Sequence, residues 1–390
     1  MMEPSSHPVM LSRRTFLGRT GIAVMAGAVA PSSRLRSAPS EHAPRLPQPE
    51  QQAIEAAVRE FMQRFKVPGM SVAIAKQGKF VLSQGYGVVD AETKAPVTPD
   101  HLFRIASVSK PFTAAAIFAL IEQGRLRLDD LVFGEKGKLG FDFGKTLPEP
   151  VKQITVAQLL KHTAGGWPNM KGDPMFLNPA MSQGELIGWT LVNQPLTDKP
   201  GTKHAYSNFG YCILGRILEK LTGLPYAQAV QRDVLAKCGI ATMRIGGNTR
   251  GDRAPNEVAY YEGGDFGDPY GMNVARMDSH GGWIARAGDL VQFALHVDGF
   301  PSPADILRAG TIKVMTTPTA ASPGYACGWA VNKAQNWWHS GSLPGTSSIL
   351  VRTVSGLCWA ALANIRAEGI DAALDETMWK IVKAIPAWRA

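Results

Sequence analysis

Cysteine is scarce: Cys212, Cys238, Cys327 and Cys358 are the only four in 390 residues, widely spaced and set in apolar segments. No Cys-x-x-Cys occurs, so neither the disulfide framework of a small secreted scaffold nor a cysteine-based zinc site is encoded. The thiols read as small buried hydrophobes; one bond between Cys327 and Cys358, both near the C-terminus, stays open beside that reading. Long apolar runs are missing too, which excludes a multi-span membrane protein. There is no block of Lys and Arg and no basic stripe in the body of the chain, so nucleic acid is not an expected partner. No His-Glu-x-x-His and no paired ligands at metal spacing are present, and Gly263-Gly264 is no phosphate or dinucleotide loop; no metal and no cofactor are expected. The Gly-x-Ser-x-Gly elbow is absent as well, which argues against the nucleophile architecture built on it. No internal repeat is visible.

What remains is a globular composition, 45% apolar and 19% charged, in a chain long enough for more than one core. The net charge of +9 is partly a terminal matter, because residues 1–46 hold six Lys or Arg against two Asp or Glu. Ser12-Arg13-Arg14-Thr15-Phe16-Leu17 precedes the short apolar run Ile22 to Ala30. This is the layout of an export signal, and the arginine pair resembles the twin-arginine class, which implies a periplasmic or otherwise exported protein. Ala28-Val29-Ala30 offers a cleavage site, but Pro31 follows it. Cleavage and an uncleaved membrane tether both stay open; a lipid anchor is not expected, since the leader has no cysteine. Residues 1–30 are read as signal and 31–49, rich in Pro, Ser and Arg, as linker.

Helical spacing of Ile54, Val58, Phe61, Met62 and Phe65 predicts a helix over Gln51 to Lys66. Met70 to Ala75 and Lys79 to Val88 then read as a hairpin turned by Lys76-Gln77-Gly78. The middle is richer in helix: Ser107 to Gln123, Thr155 to Lys161, Gln183 to Val192, Phe209 to Leu221 and Pro225 to Lys237. Alternation returns in Ala326 to Val331, Asn336 to His339, Thr346 to Arg352 and Leu357 to Asn364, and Asp371 to Ala384 closes as a helix. The fold class is therefore α+β: one antiparallel sheet built from both chain termini and flanked by helices (50–95 and 285–390), with an all-helical insertion over 96–284.

Three short motifs carry chemistry. Ser107 and Lys110 stand one turn apart at the start of a helix too apolar to lie on a surface. A serine hydroxyl attacks only when a neighbour takes its proton, and a lysine can do so once burial lowers its pKa. Taken alone, the pair also describes a capping serine beside a surface lysine. Tyr206-Ser207-Asn208 precedes the next helix; a phenol can relay a proton when cations hold it as phenolate, and an amide can fix the lysine or grip a substrate carbonyl. The plain alternative is a turn in which Asn208 caps that helix. Trp338-His339-Ser340-Gly341-Ser342 ends a strand. There His339 can donate to a substrate carboxylate or polarise the relay, Gly341 admits a substrate backbone, and the Ser342 N–H can help bind an oxyanion. A hairpin turn is the bland reading. Trp167, Trp338, Tyr260 and Tyr261 are candidates for an aromatic cleft and equally for core or loop packing, and His162, His204 and His280 read as structural.

Ser107-x-x-Lys110, Tyr206-x-Asn208 and His339-x-Gly341, in that order, resemble the three motifs of serine β-lactamase-related enzymes. That superfamily holds D-Ala-D-Ala carboxypeptidases and other penicillin-binding proteins, class C β-lactamases, D-aminopeptidases and family VIII esterases. The resemblance runs from about Leu46 to Ala384 and takes in Leu159 to Gly166 and Gly281-Gly282-Trp283. It implies a β-lactamase/transpeptidase-like fold and an exported serine hydrolase. Ser107 would form an acyl-enzyme, Lys110 and Tyr206 would share the proton, and Asn208, His339, Gly341 and Ser342 would bind substrate. Two departures bear on substrate. His339-Ser340-Gly341 stands where class C enzymes usually carry Lys-Thr-Gly, and Asn169-Met170 where they tend to place Gln. The expectation is a peptidase or carboxypeptidase on small or D-residue peptides. The alternatives are a carboxylesterase, a weak β-lactamase, or a penicillin-binding sensor or scaffold without turnover. Oligomeric state is not legible.

Overall fold

The computed structural model describes residues 46–170 and 172–388; residues 1–30, read above as an export signal, and most of 31–49, read as a linker, lie outside them. In chain order the strands are β1 (Gly69–Lys76), β2 (Lys79–Gly87), β3 (Phe103–Arg104), β4 (Arg244–Ile245), β5 (Trp283–Ala285), β6 (Ala330–Val331), β7 (Trp337–Leu343), β8 (Thr346–Arg352) and β9 (Leu357–Ala363). The α-helices are α1 (Gln48–Phe65), α2 (Ser109–Glu122), α3 (Val156–Leu160), α4 (Gln183–Asn193), α5 (Asn208–Thr222), α6 (Tyr226–Val230), α7 (Ala287–Leu295), α8 (Ala309–Met315) and α9 (Ile370–Ala384).

The main sheet runs β2-β1-β9-β8-β7-β6, antiparallel throughout. A two-residue turn at Gln77-Gly78, both at positive φ, closes the first hairpin, the geometry that matches strand twist. β1 then pairs with β9 from Met70↔Ala363 to Lys76↔Leu357, joining the two ends of the fold. β1, β8 and β9 are almost wholly buried because helices cover both faces. Alternation sorts their side chains. Met70, Val72, Ile74, Ile349 and Trp359 pack with α1 and α9 through Val58, Phe61, Leu374 and Met378. Ala73, Ala75, Leu350 and Ala360 face the other way, into the core that holds α2, α5 and α7. α2 is buried all round, as an apolar helix without a polar face must be.

Several sequence expectations change. The insertion is not purely helical: β3, β5 and β4 form a three-stranded sheet, in strands of two or three residues that carry no readable alternation. A 3₁₀ turn over Ala106–Val108 precedes α2, which starts at Ser109. The helix expected over Pro225 to Lys237 breaks into α6, a π turn over Gln231–Leu235 and a 3₁₀ turn. The strand expected from Ala326 shrinks to Ala330–Val331, whereas β7 continues through the third motif to Leu343. The linker gives way to α1 at Gln48. All four cysteines are free and buried, so Cys327 and Cys358 are not bonded.

Candidate active site

Ser107 sits on a turn pressed between the two sheets. The Ile105 N–H donates to the Trp283 carbonyl at 3.0 Å, hanging the turn from β5. Ala106 adopts φ +47°, a left-handed conformation that costs a non-glycine residue on the order of 1 kcal/mol. β7 holds it there. A Cβ at Gly341 would lie 2.2 Å from the Ile105 oxygen and 3.0 Å from the Ser107 nitrogen, so only glycine allows the strand so close. The Ser348 hydroxyl donates to the same Ile105 oxygen at 2.7 Å.

Lys110 lies one turn further on, with no exposed surface. Its Nζ is 3.0 Å from Ser107 Oγ, 2.7 Å from Asn208 Oδ1 and 2.9 Å from the His280 carbonyl oxygen. Burial lowers its pKa to about 7, against which the Asp173 carboxylate acts. Near neutrality the amine is therefore often uncharged. Its two hydrogens then satisfy Asn208 and His280, and the lone pair is left for the Ser107 hydroxyl.

Asn208 is the first residue of α5, not its cap. Ser207 caps the helix by accepting from the Gly210 N–H at 3.1 Å, and so frees the Asn208 amide for Lys110. The Ser207 N–H in turn donates to His162 Nδ1 at 3.1 Å. Tyr206 stands with its ring 4.9 Å from Lys110 Nζ. Burial drives its phenol well above the ordinary range, partly offset by a hydrogen bond with Ser107. It is a neutral O–H donor rather than the phenolate relay read from sequence.

Of the two roles open to His339, the contacts favour the one on the relay over donation to a substrate carboxylate. Its Nδ1 lies 2.6 Å from the Ser340 carbonyl oxygen, which can only accept, so Nδ1 carries the proton. Burial lowers the ring's pKa to about 3, so the imidazole is neutral and Nε2 is an acceptor. Two phenols reach that nitrogen, Tyr325 at 3.1 Å and Tyr206 at 3.4 Å. The ring orients Tyr206; it has no donor left for a substrate carboxylate. Beyond His339 the sheet edge opens, since β6 pairs only with Trp337 and Trp338 among the described residues. The Asn332 N–H to Asn336 oxygen bond sets the alternation of β7, which turns the backbone groups of Ser340 and Ser342 to that edge.

Ser107, Lys110, Tyr206, Asn208 and His339 are thus linked by contact, and Gly341 backs the nucleophile. Ser342 follows on the open edge, half-buried. Sequence reasoning missed Asp173, Tyr325 and the His280 carbonyl, which sit in loops without periodic pattern, and named Asn169 only as a departure from the class C pattern. Of the two readings open to the four aromatic candidates, cleft lining or core and loop packing, the structure shows the second. Trp167 is buried and donates to the Gln194 carbonyl, Trp338 packs on the far face of the sheet, the Tyr260 hydroxyl donates to Glu257, and Tyr261 accepts from the Ala91 N–H. Among the described residues no cluster of His, Cys, Asp and Glu could hold a metal ion.

Residues 54–383 match the beta-lactamase family model. The chain is 27% identical over 353 residues to protein flp of Staphylococcus aureus strain MW2, spanning 87% of this chain and 68% of that one. Among solved structures it is similar to D-amino acid amidase of Ochrobactrum anthropi SV3 in complex with L-phenylalanine amide: TM-score 0.71, 23% identity, covering 87% of this chain and 99% of that one. It is also similar to the octameric penicillin-binding protein homologue of Pyrococcus abyssi, with TM-score 0.70 and 24% identity over 87% of this chain and 80% of that one. At those identities the structural likeness speaks for the fold.

Proposed function

The chain belongs to the beta-lactamase family and is a serine hydrolase, and from that premise we propose that it works through an acyl-enzyme at Ser107 as an exported peptidase on small or D-residue peptides and their amides. The observation that carries this is the approach of Lys110 Nζ to Ser107 Oγ at 3.0 Å in a buried setting that lowers the lysine's pKa to about 7. As Ser107 Oγ bonds to the substrate carbonyl carbon, its proton passes to the Lys110 lone pair. The developing oxyanion lies against the N–H groups of Ser107 and Ser342. Tyr206, a neutral phenol, donates its proton to the leaving amine or alkoxide and recovers one from the Lys110 ammonium through the site. Water then attacks the ester, giving up its proton to the same pair and releasing Ser107 and a carboxylic acid.

The neutral His339, its one N–H already given to the Ser340 carbonyl, provides no cation for a free C-terminal carboxylate, which favours amide and ester ends over the carboxypeptidase reading. An esterase on short acyl esters is the second reading, favoured by the same observation. The twin-arginine-like leader supports an envelope location. Comparing kcat/KM on a D-amino acid amide, a D-Ala-D-Ala peptide, p-nitrophenyl butyrate and a cephalosporin tests the assignment. The amide or ester should lead, and Ser107→Ala should abolish all four. A leading cephalosporin, or turnover by a clean Ser107→Ala preparation, would refute it.

A further inference from the structure

The loop between α3 and α4 grips the second motif at two points. Asn169 donates its N–H to the Tyr206 carbonyl at 2.9 Å, and its Oδ1 accepts from the Asn208 N–H at 2.8 Å. Asp173, buried four residues later, accepts from Asn208 Nδ2 at 2.7 Å through Oδ2 and from the Met175 N–H at 3.0 Å through Oδ1. Burial raises its pKa, against which the Met175 and Asn208 hydrogen bonds and Lys110 act, and both of its oxygens accept, the pattern of an ionised carboxylate. An asparagine amide can turn end over end, and what fixes it is the chemistry of its partners. Because Asp173 only accepts, Nδ2 must face it, and Oδ1 must face Lys110.

That orientation decides where the lysine's lone pair points. With Asn208 Oδ1 and the His280 oxygen as acceptors, the two hydrogens of the neutral amine have fixed places, and the free position faces Ser107. An amide turned the other way would set Nδ2 against Nζ, donor against donor. We infer, on the footing of Ser107 as the nucleophile proposed above, that Asp173 is a positioning residue: it locks the Asn208 amide so that the Lys110 lone pair meets the Ser107 hydroxyl.

The other groups around Lys110 are the Tyr206 and Tyr211 rings of the α5 segment, His162 after α3, His280 before β5 and His339 on β7. Burial keeps the three imidazoles and the two phenols uncharged. Asp173 is the carboxylate that acts on the amine.

The test is a set of kcat and KM pH profiles on p-nitrophenyl butyrate for the wild type, Asp173→Asn, Asn169→Ala and Ser107→Ala, each with its melting curve and fluorophosphonate-titrated active sites. Asp173→Asn should lower kcat about 10- to 100-fold with KM within about threefold, since a displaced base costs chemistry more than binding. Its acidic limb should move to lower pH by about half a unit or more, because an ammonium that loses a nearby anion releases its proton sooner. Asn169→Ala, which loosens the same loop without removing charge, should lower kcat and leave the limb in place. If Asp173→Asn does not fold, Asp173→Ser should show the same limb shift. An unmoved limb in a folded Asp173 variant, beside an inactive Ser107→Ala, overturns the inference alone. Turnover by Ser107→Ala overturns the nucleophile and the inference together.

Discussion

Lys110 is the side chain on which the chemistry turns, because a lysine with no exposed surface is costly to keep charged. It holds its proton only up to about pH 7, against 10.5 for a solvated lysine. The base form is the deprotonated one, so kcat/KM should climb about tenfold per pH unit below 7 and level off above it. Lys110→Arg, which cannot deprotonate, should lose on the order of a thousandfold. His339, neutral far below that range, should leave the limb in place when changed to Ala; a limb that disappears with His339 would contradict the assignment. The same shift has a stability sign. Between pH 7 and 10.5 the unfolded chain binds the proton that the native state has released, so this group's contribution favours folding increasingly as pH rises through that window. Ser107 and Lys110 were legible because three residues on a helix fix a shared face. Asp173 was not, nor was the contact of Asn169, since their partner Asn208 lies 35 and 39 positions away and only folding joins them. The protonated nitrogen of His339 was equally hidden, being set by the Ser340 carbonyl beside it.

β7 is both a strand of the sheet and the back wall of the nucleophile. Gly341→Ala would drive a methyl into the Ile105 carbonyl, 2.2 Å away, and push the Ala106–Val108 turn off the strand. Activity should fall about 100-fold and stability by roughly 1–3 kcal/mol, read as kcat per titrated site and as a denaturation midpoint. Normal kcat in that variant would show that the wall can move without cost. Sequence patterns located this wall only in part. β8 was read to the residue, because β-branched residues lie between Pro344-Gly345 and the Ser355-Gly356 turn. β7 was cut short at His339, since Ser340, Gly341 and Ser342 have low strand propensity and are held by pairing with Ser347, Ser348 and Ile349. The β3-β5-β4 sheet, which suspends the nucleophile's turn, was missed for want of length.

Pairing of β1 with β9 makes the whole molecule depend on residues nearly 300 positions apart. Trp359, fully buried on β9 and set edge-on to Trp379 of α9 at 4.7 Å, spans the sheet and the helix that covers it. Trp359→Ala should cost about 3–5 kcal/mol, with kcat per folded molecule unchanged because that face points away from Ser107. A proportionate loss of kcat at full folding would mean that the two faces of the sheet are coupled. The sheet built from both ends was legible, because alternation at the two termini leaves each half with an unpartnered edge. If residues 1–30 act as the twin-arginine leader proposed above, replacing Arg13 and Arg14 together by Lys should retain the chain inside the cell, checked by fractionation; unchanged export would exclude twin-arginine transport.

The most direct measurement is the rate of fluorophosphonate capture across pH 5–9, with the adduct mapped by mass spectrometry. Modification of Ser107 alone, rising with pH to a midpoint near 7 and lost in Lys110→Arg, is expected. Capture at another residue, or a rate on Ser107 that ignores both pH and Lys110, would contradict the buried amine as the base that activates the serine.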